Sequence, residues 1–138
     1  MNTISDVAVD FTTACDNGSG WDACADFCVR GATFSAQCEV LSGVDTVADY
    51  CEWMRDLLVK LPDGRIEIRS MGVDEQRGHV TIFSVFRGTH TGPGGPVPPT
   101  GRSATADYVY AMEFRQGKLN HLTKVWNAPW TLRELGWV

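Results

Sequence analysis

Arg87-Gly88-Thr89-His90-Thr91-Gly92 opens the stretch that decides the fold. A stiff loop follows, with Pro93, Pro96, Pro98 and Pro99 among Gly94, Gly95 and Gly101. Proline lacks the ladder donor and glycine costs chain entropy, so this run cannot continue a strand. The residues on either side do alternate, so two long antiparallel strands are joined by the loop. A second hairpin is expected at Arg115-Gln116-Gly117-Lys118, where Gly117 supplies the positive φ of a two-residue turn. The result is a three-strand meander with the rest of the chain covering one side.

Upstream, Arg65–Val73 alternates Ile66 and Ile68 with Glu67 and Arg69, and Glu75–Gly78 reads as a turn. The strand from His79 to Thr91 is apolar on both faces and is expected to be central. Ile4, Val7, Ala8, Phe11 and Cys15 recur at helical spacing, placing a helix over about residues 3–15. Trp21–Cys28 reads as a second helix and Ala32–Val40 as a short strand. A third helix is expected from an Asp45 cap to Lys60, stopped by Pro62-Asp63-Gly64.

The chain has 138 residues, 43% hydrophobic and 21% charged, which predicts one domain spanning 1–138. A net charge of −5 argues against a nucleic-acid partner, which requires a basic face. No apolar run is long enough for a membrane helix, and Met1–Asp6 lacks a basic start and an apolar stretch. A cytoplasmic location is therefore expected. Five cysteines without an export signal make a poor disulfide framework, and no CxxC or HxxxH spacing suggests metal. They are expected to be reduced and metal-free.

Hairpin arithmetic turns the meander into a candidate site. If Arg115 pairs with Lys118, Met112 faces His121, Tyr110 faces Thr123, Tyr108 faces Val125 and Ala106 faces Asn127. One face then carries Tyr108, Tyr110, Met112, His121, Thr123 and Asn127. This mixture suits an apolar pocket with a few polar groups. Phe86 and Trp53 complete the expected lining. The other face, with Phe83, Val85, Val109, Leu122 and Trp126, is expected to form a homodimer contact.

The order helix, helix, strand, helix and curved meander resembles the nuclear transport factor 2-like cone. This implies an α+β fold: a curved antiparallel sheet of about four to five strands, with three N-terminal helices packed on its concave face. The pieces Gly88-Thr89-His90-Thr91-Gly92 and Pro98-Pro99-Thr100-Gly101-Arg102 resemble the SnoaL-like polyketide (ester) cyclase family. So do Leu61-Pro62-Asp63, Gly117-Lys118-Leu119 and the ending Leu132-x-x-Leu135-Gly136. The resemblance implies cofactor-free ring closure of a hydrophobic, carbonyl-bearing small molecule by proton transfer. Counting back from Leu135-Gly136, the family's aspartate falls on Asn127 and its tryptophan on Thr123. An amide cannot act as that base.

Three residues are left as catalytic candidates. His121 is the expected acid or base, because imidazole exchanges protons near neutral pH. Asn127 is expected to hold a ligand oxygen. His90 lies in the family motif, with loop anchoring as its competing role. Tyr108 and Tyr110 could donate to an oxyanion. A cyclase or isomerase is the leading expectation, and a non-catalytic carrier or sensor is the alternative.

Overall fold

A computed structural model describes residues 3–138. Met1 and Asn2, part of the N-terminal stretch considered above, lie outside the described residues. Helices α1 (Ile4–Asp16), α2 (Trp21–Cys24), α3 (Val47–Lys60) and α4 (Ala128–Leu135) accompany five strands. The strands are β1 (Cys28–Ala36), β2 (Arg65–Asp74), β3 (His79–Thr89), β4 (Ser103–Arg115) and β5 (Lys118–Trp126). They form one curved sheet in the order β1-β5-β4-β3-β2. The α+β expectation holds, although β1 joins β5 in parallel rather than antiparallel. Among the described residues, no helix is long and apolar enough to cross a membrane.

Local chemistry sets the helix ends. Thr3 and Asp6 form a capping box that starts α1. The cap of α3 is Thr46, whose Oγ1 accepts from the Asp49 amide at 3.1 Å. It is not Asp45, because the first helical bond runs from the Tyr50 amide to the Thr46 carbonyl at 3.1 Å, while the Asp45 carbonyl accepts from the Phe34 amide at 2.8 Å. The expected second helix is cut short. After Cys24 a single 3-10 turn leads into β1, and Cys28 pairs with Leu119 of β5. Tertiary pairing wins over a short helix whose Gly20 cap offers no side-chain bond.

The helices bury the sheet's inner face. Ala8, Phe11 and Cys15 of α1 and Tyr50, Cys51 and Met54 of α3 pack on Val80, Ile82, Tyr110, Met112 and Leu122. Phe11 is fully buried, so its truncation to alanine would cost about 3–5 kcal/mol. The β4–β5 hairpin has the expected two-residue loop, with Gln116 at φ 53° and Gly117 at φ 79°.

Beyond that turn the register departs from the arithmetic. Arg115 pairs with Lys118 and Phe114 with Leu119, but Glu113 pairs with His121. Asn120 is the extra residue of a β-bulge. From there the pairs are Met112–Leu122, Tyr110–Lys124 and Tyr108–Trp126. A one-residue slip turns every later side chain to the opposite face. Leu122 and Trp126, expected outside, therefore face inward, and His121 and Thr123 face outward.

Candidate active site

An apolar cavity of about 360 Å³ opens where α3, α4, β4 and β5 meet the proline-rich loop. Its wall includes Trp53, Phe86, Ala106, Tyr108, Tyr110, Trp126, Leu135 and Trp137. Alternation along β4 brings Ala104, Ala106, Tyr108 and Tyr110 to this side. Small residues on the strand leave the space that the aromatics surround.

Two lysines line this wall, and one of them is deeply buried. Lys124 is only 7% exposed. Its Nζ lies 4.2 Å from the ring centre of Trp126, 5.2 Å from Tyr108, 5.3 Å from Tyr50 and 5.6 Å from Trp53. Such faces attract a cation through the ring quadrupole. Among the described residues no carboxylate pairs with it. Burial lowers its pKa to about 8, while the Asp16 charge opposes that fall. Lys60 lines the same cavity, but its Nζ is held by Asp56 at 2.6 Å.

Behind the wall lies a buried carboxyl. Asp16 ends α1 with no exposed surface. Tyr108 and Tyr110 both donate to it, Tyr110 at 2.6 Å. Because Tyr110 gives its proton to Asp16, Tyr50 is the donor in the 2.6 Å Tyr50–Tyr110 bond. Burial pushes the Asp16 carboxyl up, and the two tyrosine bonds and the Lys124 charge partly offset this. Burial and the Asp16 charge push all three tyrosines up as well, so they remain phenols. Tyr108 and Tyr110 donate to Asp16 and Tyr50 donates to Tyr110, so the expected oxyanion donors, Tyr108 and Tyr110, are committed away from the cavity.

The structure separates the residues singled out from sequence. Tyr108, Tyr110, Phe86 and Trp53 lie on the cavity wall. Met112 is buried in the core and is not part of that wall. His121 sits on the outer face, its Nδ1 2.6 Å from Thr33 Oγ1 and its Nε2 3.1 Å from both Ser35 and Thr123 hydroxyls. The bulge at Asn120 put His121 and Thr123 there. Asn127 is exposed and caps α4, accepting from the Trp130 amide at 3.3 Å. An Asn-Ala-Pro start favours that role, since proline suits the first helical turn. Asn127 therefore does not project into the cavity.

His90 is fully buried and holds the loop. Its Nδ1 accepts from Trp137 Nε1 at 2.9 Å and from the Thr100 amide at 3.3 Å. Two donors on Nδ1 place the proton on Nε2, which donates to the Gly94 carbonyl at 3.0 Å. This imidazole pins Trp137 and the loop over the cavity. Gly92 makes the loop's close approach to α3 possible, because a Cβ there would lie 1.9 Å from the Val59 carbonyl oxygen.

Sequence reasoning missed Asp16, Tyr50, Lys124, Trp126 and Trp137. For Asp16 a signal existed: Ala8, Thr12 and Asp16 continue the buried stripe of α1 at four-residue spacing. For β5, both Leu119 and Leu122 are fully buried. Three-residue spacing cannot put two leucines on one face of a regular strand, so the pair marks a bulge. Among the described residues, no group of three or more His, Cys, Asp or Glu is arranged to hold a metal.

The SnoaL-like polyketide cyclase family model matches residues 6–135, and the chain belongs to that family. Solved structures share the fold at low identity. IdmH of Streptomyces antibioticus, a candidate polyketide cyclase, is 18% identical with a TM-score of 0.79, covering 98% of this chain and 99% of its own. A Catenulispora acidiphila protein of ketosteroid isomerase-like fold, crystallised with trimethylamine, is 14% identical with a TM-score of 0.72, covering 99% and 96%. TerC, co-crystallised with polyporic acid, is 11% identical with a TM-score of 0.71, covering 96% and 98%. No curated protein matches the chain.

Proposed function

We propose that this SnoaL-like chain takes a hydrophobic, carbonyl-bearing small molecule into the cavity and transfers protons on it without a cofactor. The reaction is of the isomerase or cyclase type. The observation that carries this reading is Lys124, a buried cation without a carboxylate partner on a largely apolar wall. TerC, co-crystallised with polyporic acid, supports a small-molecule ligand for this fold.

The chemistry follows from the two forms of that amine. With a pKa near 8, both forms are populated close to neutral pH. The amine removes a proton α to the ligand carbonyl, and the resulting ammonium stands beside the enolate oxygen. Returning the proton to another carbon completes an isomerisation. Attack of the enolate on a second carbonyl, with the proton passed to the new alkoxide, closes a ring. A positioned general base is worth about 10²–10⁴-fold. Asp16 and the three tyrosines act behind this step by fixing the wall.

The test is deuterium uptake at the α-carbon of a bound aromatic ketone, followed by NMR. Wild type should exchange the proton and Lys124→Met should not. Equal exchange in both proteins would refute the role of Lys124. Tight binding without exchange in wild type would mark a carrier. The reading extends to the sheet's outer face, where Phe83, Val109 and 60%-exposed Val125 form a surface suited to a second copy of the chain. Light scattering giving a monomer mass at micromolar concentration would refute that extension.

A further inference from the structure

We propose that Lys124 acts as a covalent amine catalyst, forming an imine with a ketone or aldehyde held in the cavity. The inference rests on the cavity being the ligand site, and it goes beyond acid–base chemistry to a bond between protein and substrate.

Three observations carry it. The first is isolation. The chain has three lysines, Lys60, Lys118 and Lys124. Lys60 is tied to Asp56 and Lys118 lies at the exposed β4–β5 turn. Only Lys124 reaches the cavity without a carboxylate, so its nitrogen is not engaged by an anion when a carbonyl arrives. The second is burial, which makes the neutral, nucleophilic amine accessible. About one molecule in ten carries it at pH 7, and more above that.

The third is the ring cage. A buried cation left unpaired costs stability, so its retention calls for a use. Tyr50, Trp53, Tyr108 and Trp126 surround Nζ with ring faces. These faces favour positive charge at that position without supplying a counter-ion. An iminium carries its charge at the same nitrogen. The cage thus stabilises the intermediate as it stabilises the ammonium.

The steps balance. The Nζ lone pair bonds to the carbonyl carbon, and the carbonyl π pair moves to oxygen. Oxygen gains the proton that nitrogen loses, giving a carbinolamine. A second proton on that oxygen lets it leave as water, and a cationic C=N bond forms. Loss of an α-proton gives a neutral enamine. Its carbon attacks a second carbonyl in the same molecule, forming the new C–C bond and restoring the iminium, and the resulting alkoxide takes up the proton that the α-carbon released to water. Water then cleaves the iminium, regenerating Lys124 and the ketone. No oxidant or reductant enters.

The experiment uses 4-phenyl-2-butanone as probe and borohydride to trap the imine. Quenching of the cavity tryptophans reports binding separately. Expected is a mass gain of one ketone less one water plus the two hydrogens of reduction, a net gain of the ketone less its oxygen, mapped to the peptide holding Lys124. It should be lost in Lys124→Met, kept in Lys118→Met, whose lysine lies at the exposed turn away from the cavity, and increase from pH 6 to 9 as the amine deprotonates. Lys124→Arg keeps the charge but cannot form an imine. Binding of the ketone without a trapped adduct would overturn the covalent proposal alone. Full α-proton exchange by Lys124→Arg would overturn both the imine and the base role of Lys124, because arginine does not give up its proton. A ketone that fails to quench or bind at all would overturn the cavity reading, and the imine with it.

Discussion

The two faces of β5 carry similar equipment and different environments. Outside, His121 lies among the hydroxyls of Thr33, Ser35 and Thr123, open to solvent. Inside, Lys124 lies among four rings next to a cavity. Judged by residue type, histidine is the better acid–base group. Judged by surroundings, the lysine is the one whose chemistry has been altered. Burial changes what a group can do more than its identity does, and one bulge residue, Asn120, determines which group is buried.

The sharpest way to break the comparison is to put one charge on either face of β5. Leu122 is fully buried on the inner face, so Leu122→Asp buries an unpaired carboxylate and loses the leucine packing. The cost should exceed about 5 kcal/mol, the lower range of a domain's whole stability. No cooperative melt should be seen by circular dichroism, whereas His121→Asp on the outer face should melt close to wild type. A melt near that of wild type for Leu122→Asp would show that Leu122 does not face inward.

The next test leaves the fold intact. Lys124→Met should lower α-proton exchange by about 10²-fold or more. His121→Ala, which alters only the outer face, should change it by less than about twofold, within the ordinary scatter of surface changes. If His121→Ala has the larger effect in NMR-monitored exchange, the two faces have been assigned the wrong way round.

A third test uses the energetic cost of the buried lysine. Its folded pKa, about 8, lies below the ordinary lysine value. At pH 7 both states are charged, and the folded protein bears the full cost. Between about 8 and the ordinary value only the unfolded chain keeps the proton, so stability rises with pH. Above both values the cost is gone. The whole swing is about 3 kcal/mol. Urea midpoints from pH 7 to 10 should rise in wild type relative to Lys124→Met. Parallel curves would mean that Lys124 is not desolvated.

The legibility of the chain follows the same division. The strands, the Gln116-Gly117 turn and α3 were readable because periodicity and turn chemistry are local. The cavity aromatics of β4 were readable because β4 runs without a bulge. His121 and Trp126 fall on the wrong faces in the sequence reading because their facing depends on a register shift, and hairpin counting carries an error of one residue to the strand end. The burial of Asp16 is legible in the α1 stripe, but its pairing is not, because its partners, Tyr108 and Tyr110, lie on a distant strand. Asn127 was assigned by alignment to a family motif, whereas its own neighbours, Ala128 and Pro129, indicate a helix cap.

That last residue gives the smallest expected effect and a direct test of how motif and environment compare. Counting along the motif makes Asn127 the site of the missing base, so Asn127→Asp would create one. The structure places its side chain at the exposed start of α4, bonded to the Trp130 amide. Aspartate caps a helix about as well as asparagine, and its charge suits the helix N-terminus. Asn127→Asp should therefore leave stability within about 0.5 kcal/mol and leave α-proton exchange unchanged. Asn127→Ala removes the cap and should cost about 1 kcal/mol. Because α4 carries Thr131, Leu132 and Leu135 on the cavity wall, fraying should weaken ketone binding slightly without altering the chemical step. Urea melts and ketone titrations of the two variants decide the matter. A gain of exchange in Asn127→Asp would place that side chain at the reacting carbon, contrary to the position of Asn127 outside the cavity.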